Sequence, residues 1–192
     1  MPRMGAACST NRVRPCYTGR TEDPVKFTIR NVFETDVDTF WDRVFFDDEY
    51  NRRLYLDALQ FKRFEVLAQT GGPGEVRTRR MVTEPKTEAP AMIQKLVGGS
   101  FSYTEEGRWD PATKLWTYAI TTSKLADKIR VGGRYWCEPL GPKRLDRVCE
   151  IELEVKVFGV GGVVEQFMEK TTRESYEATT RFTNEFIREK GL

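Results

Sequence analysis

The stretch that decides the fold is Gly159–Leu192, GVGGVVEQFMEKTTRESYEATTRFTNEFIREKGL. Val160, Val164, Phe167, Thr171, Ala178, Phe182 and Phe186 recur at three- and four-residue steps and share one helical face. Glu165, Glu169, Lys170, Glu174, Glu177, Arg181, Glu185 and Arg188 mostly fall on the other, so the pattern predicts one long amphipathic helix. Glycines 159, 161 and 162 break the strand pattern before it, and Gly191 ends it just after Arg188 and Lys190. The middle of the apolar stripe carries small or polar residues, Thr171, Ser175 and Ala178. A helix that only seals a core places large apolar side chains there. A helix lying over a cavity has room for small ones.

Upstream of this helix the chain reads mostly as strands. Val25, Phe27 and Ile29 alternate with polar residues as a half-buried first strand. Thr35, Asp36 and Asp38 offer helix caps before VDTFWDRVFF, and Asp47 and Asp48 before DDEYNRRLYLDALQ, so two short helices follow that strand. Six more strands are predicted, around residues 63–68, 76–82, 101–109, 116–120, 129–137 and 150–157, with turns at GGPGE (71–75) and DPAT (110–113). Residues 88–99 read as a short helix or ordered loop ending at Gly98-Gly99. Consecutive strands with short turns imply an antiparallel meander, and only the last helix is long enough to cover its apolar face. The expected fold is α+β: a curved antiparallel sheet of about seven strands around a long C-terminal helix, in a domain of residues 25–192.

Composition narrows the chemistry. The 192-residue chain contains no histidine, which removes Ser-His-Asp and Cys-His catalysis and histidine-bound metals. The four cysteines, Cys8, Cys16, Cys137 and Cys149, lack metal-ligand spacing. Cys137 and Cys149 straddle the Pro139–Pro142 turn and read as two reduced thiols, with a disulfide as the alternative. Net charge is +2, but four of the 31 basic side chains lie in residues 1–21, which hold no acid. The remainder has 27 basic against 29 acidic side chains, no footprint for nucleic acid. Residues 1–24 read as a flexible tail or an arginine-rich transit peptide, and a protein partner could be held through them. A cytoplasmic location is expected, or an organelle (plastid or mitochondrion) on the transit-peptide reading. No apolar run reaches the ~18 residues of a membrane span.

If the strand alternation is followed inward, Phe64, Phe101, Tyr103, Trp116, Tyr118 and Tyr135 face the concave side with Phe167 and Thr171 of the helix above them. These are the candidate ligand-binding residues, and packing as an ordinary core is the competing reading for each. Arg80 falls between Thr78 and Val82 on the face taken as inner, so it needs an anionic ligand headgroup or a carboxylate partner, for which Glu105 is in phase.

The element order resembles the helix-grip fold of the START-like (Bet v 1-like, SRPBCC) superfamily over about residues 25–190. VRTRRMVTEP, APAMIQKLVGGSFSYTEEGRW and VKVFGVGGVVEQFMEK are most similar to the DUF2505-type family of unknown function. VFETDVDTFWDRVFFDDEYNRRLYLDA bears a weaker likeness to VASt sterol-binding domains. The resemblance implies a cavity between sheet and helix for a sterol, fatty acid, quinone or other apolar molecule. The expected function is therefore non-catalytic binding or transport of a hydrophobic small molecule, a lipid first of all. No cofactor or metal is expected, and peripheral membrane contact is an open expectation. A ligand would be admitted near residues 71–75, 88–99 and 124–128. The alternatives are an interaction subunit whose cavity is filled, and a cyclase- or hydrolase-like enzyme using Tyr, Arg and carboxylates.

Overall fold

The computed structural model describes residues 24–86 and 89–192; the expectations for the N-terminal tail lie outside them. The elements run β1 (Val25–Phe33), α1 (Val37–Phe40), α2 (Asp48–Arg52), β2 (Arg63–Thr70), β3 (Arg77–Glu84), α3 (Ala91–Val97), β4 (Tyr103–Asp110), β5 (Leu115–Thr122), β6 (Ile129–Gly141), β7 (Arg144–Val155) and α4 (Gly161–Lys190). α1 and α2 each continue into a π-helical turn, Trp41–Phe45 and Arg53–Ala58. The strands form one antiparallel sheet in the order β1-β7-β6-β5-β4-β3-β2. This is the expected helix grip, a curved open sheet with the two short helices after the first strand.

Local chemistry sets the boundaries. Asp36 caps α1 by accepting the Thr39 amide at 2.9 Å, and Asp47 caps α2 through the Tyr50 amide at 2.7 Å. Gly191 adopts φ 66° and closes α4, a left-handed conformation that glycine takes without a Cβ clash. Gly107 on β4 serves packing instead: a Cβ there would overlap the six-membered ring of Trp116. Its missing side chain is the space that the indole fills. Trp116 is fully buried, with Phe45 and Phe46 edge-on at 5.2 and 5.7 Å between centroids.

Two apolar clusters hold the halves of the sheet to the helices. One joins Phe33, Phe40, Trp41, Phe45 and Trp116 to Phe186 and Ile187 of α4. The other joins Ile93 of α3 and Ile129, Leu153 and Val155 of the sheet to Val164. α4 is thus fixed near both ends. At its N-terminal end the buried Glu165 accepts the Val155 amide at 2.8 Å, so this residue does not belong to the solvent face predicted for it. At its C-terminal end Thr183 bonds Tyr50 at 2.7 Å, and Glu189 and Lys190 pair with Arg53 and Glu49, each at 2.8 Å. Asn31 and Asn184 tie the helix laterally to β1: Asn31 Nδ2 donates to Thr180 at 2.7 Å and Asn184 Nδ2 to the Val32 carbonyl at 3.0 Å.

The phase of β3 is opposite to the one expected. Arg77, Arg79, Met81 and Thr83 are buried, whereas Thr78 and Arg80 are exposed. Pairing with β4 pins this phase, with Met81 opposite Glu105 and Arg80 opposite Glu106. Three arginines and two threonines in eight residues leave too little hydrophobic contrast for alternation to choose a face. Arg80 is therefore an outer-face residue, its side chain 57% exposed and paired with Glu106 at 2.9 Å. β2 has a bulge between Val66 and Ala68, which places an extra residue in this edge strand.

Candidate functional site: a cavity beneath the long helix

A cavity of about 1070 Å³ lies between the sheet and α4, reached past α3 and residues 59–62, 85–86 and 89–90. The middle of α4 roofs it with Phe167, Met168, Thr171, Ser175, Ala178 and Thr179. The small residues of the apolar stripe thus stand over open space. The rim carries Lys62, Lys86, Gln94 and Ser100 on one side and Lys170 and Glu174 on the other. Of the three segments expected to admit a ligand, 88–99 contributes to the rim through its described residues from 89 on, while 71–75 and 124–128 are not among the lining residues.

The nine predicted residues divide. Phe101, Tyr103, Tyr118, Tyr135, Phe167 and Thr171 line the cavity. Phe64, Arg80 and Trp116 do not. Phe64 sits one layer behind, stacked on the lining residue Tyr55 at 4.5 Å between ring centroids. Trp116 fills the hole above Gly107. Arg80 points to the opposite face of the sheet, so it is no headgroup anchor inside this cavity.

Walls and floor differ in chemistry. Ile93, Val97, Ile120, Val131 and Val164 make the walls apolar. Deeper residues supply polar groups: Tyr176 donates its hydroxyl hydrogen to Tyr135 at 2.6 Å, and the Tyr118 ring lies 4.9 Å from that of Tyr135. Burial pushes the Tyr103 hydroxyl up to about 12, and those of Tyr135 and Tyr176 well above their ordinary value. All three remain protonated donors at neutral pH. Cys149 lies beside them; its thiol and that of Cys137 are free, and burial raises both, Cys137 to about 12.

Two ionisable groups that sequence reasoning leaves out, Arg79 and Arg147, belong to the lining together with Glu105, which it places on the inner face only as a partner for Arg80. Arg79 is 4% exposed, donates to the Phe45 carbonyl at 3.0 Å and lies over the Phe45 and Trp116 rings. Glu105 is 7% exposed, and burial lifts its carboxyl to about 7 although Arg79 pulls the other way. Arg147 is 5% exposed and donates to Asn31 Oδ1 at 2.9 Å, with the Phe33, Tyr176 and Tyr135 rings at 5.0, 5.1 and 5.7 Å. A signal for Arg147 is present in the sequence: counting back by twos from Ile151 passes through Cys149 to Arg147.

The arrangement can enclose an elongated apolar molecule and meet its inner end with hydroxyls and guanidinium groups. Among the described residues no helix is long and apolar enough to cross a membrane.

Comparison with known proteins agrees with the fold. The structure of TTHA0849 from Thermus thermophilus is similar, with a TM-score of 0.63 at 15% identity over 88% of this chain and 100% of that one. The Zhui aromatase/cyclase from a Streptomyces species gives 0.61 at 12% identity, over 88% of this chain and 96% of that one. A START superfamily protein from Mycobacterium smegmatis gives 0.53 at 14% identity, over 85% and 99%. At these identities the likeness establishes the fold alone. No curated protein matches the chain. The family described as "Protein of unknown function (DUF2505)" matches residues 28–187, the whole helix-grip unit from β1 into the last turns of α4, and the chain belongs to that family.

Proposed function

We propose that this protein binds a hydrophobic small molecule in the cavity beneath α4 and acts as a carrier without transforming it. The observation that supports the reading is the cavity itself: about 1070 Å³, slightly above the ~300–1000 Å³ usual for ligand pockets, with apolar walls and a few polar groups inside. An interaction subunit with a filled core has no need of such a space. The ligand classes proposed for this space are lipids of the sterol, fatty-acid or quinone kind, each an apolar body with a small polar end.

The test is native mass spectrometry of protein purified from cells, followed by denaturing extraction and lipid analysis. A stoichiometric apolar adduct that disappears on denaturation is expected. A clean mass, with no uptake from an added lipid panel, overturns the proposal.

A second reading is favoured by one group, Glu105. A buried carboxyl lifted to about 7 within a ligand cavity is suited to exchange protons near neutral pH. Conversion of an extracted compound by the wild-type protein, lost in Glu105→Gln while binding persists, would replace the carrier with an enzyme. Recovery of the compound unchanged leaves the carrier in place.

A further inference from the structure

Inside the cavity the charges do not balance. Two guanidinium groups, Arg79 and Arg147, face one carboxyl, Glu105. Guanidinium stays protonated in proteins, so both arginines carry full charge. Glu105 stands on β4 beside the strand of Arg79, and Arg79 is the charge that acts on it. Among the described residues Arg79 makes no ion pair and its Nε is unpartnered, but it has Glu105 as a carboxyl on which its charge acts; Arg147 has no such carboxyl. Among the described residues no carboxylate lies within ion-pair distance of it, and its Nε has no hydrogen-bond partner. Its sequence neighbour Asp146 points the other way and pairs with Arg30 at 2.7 Å. Its neighbours inside are Tyr135, Tyr176 and the Cys149 thiol, all neutral at physiological pH because burial raises them. Aromatic faces offset part of the charge. They leave the donor at Nε unanswered, and a buried unpaired charge is strongly unfavourable.

We infer that the ligand carries a single carboxylate on an apolar body and enters the cavity acid end first, to be met by Arg147 with the Tyr135–Tyr176 hydroxyl pair beside it. The inference rests on the carrier reading above and assigns the ligand's chemical class and orientation. One uncompensated guanidinium matches a monoanion, and a planar carboxylate accepts from the guanidinium fork. The apolar walls then hold the chain or ring system, with its far end toward the rim.

The experiment uses matched acid and ester pairs, oleate with methyl oleate and 1-pyrenebutyrate with its methyl ester. Their affinities are measured on the ligand-stripped full chain. Wild-type protein is expected to bind each acid at least about tenfold more tightly than its ester, the scale of a hydrogen bond to a charged group. Arg147→Gln should lose that preference, with ester affinity changed by less than about threefold, and Arg147→Lys should keep part of it. Equal binding of acids and esters by wild-type protein overturns the inference whatever the variants do, and leaves the carrier reading standing. Equal loss of acid and ester in Arg147→Gln, with Arg147→Lys behaving alike, also overturns it and makes Arg147 structural. Failure to take up any of the four compounds overturns the inference, while the carrier reading stands or falls on the native mass spectrum and the wider lipid panel.

Discussion

Replacing Glu105 by glutamine should make the protein more stable at pH 8 and leave it nearly unchanged at pH 5. In the folded chain the carboxyl is raised from 4.5 to about 7 by burial, with Arg79 only partly opposing the shift. The direction follows from proton binding. Between pH 4.5 and about 7 the folded protein holds this proton and the unfolded chain does not, so raising the pH favours unfolding through that window. Below it both states are protonated, and above it both are ionised and the loss is complete. At about 1.4 kcal/mol per pH unit, the full penalty is about 3 kcal/mol. Glu105→Gln keeps the shape and removes the ionisation. For a domain of this size 1 kcal/mol moves Tm by about 2–4 °C, so the variant should melt about 6–12 °C higher at pH 8. Scanning calorimetry of ligand-stripped wild type and variant, stepped from pH 5 to 8, measures the gap directly, since other titrating groups cancel between the two. A gap that stays constant with pH refutes the reasoning. A variant less stable at pH 8 refutes it differently, by showing that attraction to Arg79 outweighs desolvation.

Three further outcomes are expected. Gly107→Ala puts a methyl group into the Trp116 ring and should destabilise by about 1–3 kcal/mol or more, read as a lowered denaturation midpoint; Gly107→Ala with Trp116→Leu should recover part of the loss, and an unchanged midpoint in the single variant would sink the packing account. Arg80→Ala should change stability by no more than about 1 kcal/mol and leave lipid uptake untouched, because its partner Glu106 is equally exposed; a selective fall in uptake would contradict the outer-face assignment. Cys137 and Cys149 should react slowly with a thiol reagent at pH 8 and become fast on unfolding, since burial lifts Cys137 to about 12 and raises Cys149 as well. Rapid labelling of the native protein would show that the thiols are accessible.

The helix grip is legible in the sequence because its signals are long or repeated. Thirty residues of α4 keep one amphipathic period, and the hairpins carry turn residues where the strands end. The two short helices show through their aspartate caps, although their π-helical continuations have no sequence mark. Even the cavity leaves a trace in Thr171, Ser175 and Ala178. The site is less legible, and β3 explains why. Its face is chosen by register with β4, which a strand reveals only if its own hydrophobic contrast is strong. RTRRMVTE has little, so alternation sets Arg80 inside and Arg79 outside, the reverse of the structure. Trp116 and Phe64 fall on the expected face of the sheet but not at the cavity, because alternation gives direction and no depth. Whether an inward side chain meets the ligand or a neighbour depends on what packs above it, here Phe45 and Phe46 for Trp116 and Tyr55 for Phe64.

α4 can be regarded as a beam clamped at both ends. Glu165 and Val164 fix one end, and Thr183, Phe186 and the Arg53–Glu189 pair fix the other. Between them about 18 Å of helix, residues 167–178, spans open space. The beam's height over the sheet is set by these supports and by Tyr176, which bonds Tyr135 from within the span, and owes nothing to the small side chains beside it. Thr171, Ser175 and Ala178 are accordingly positions where a chain of this family can exchange a small residue for a larger one, reshaping the room beneath without disturbing the scaffold that defines it.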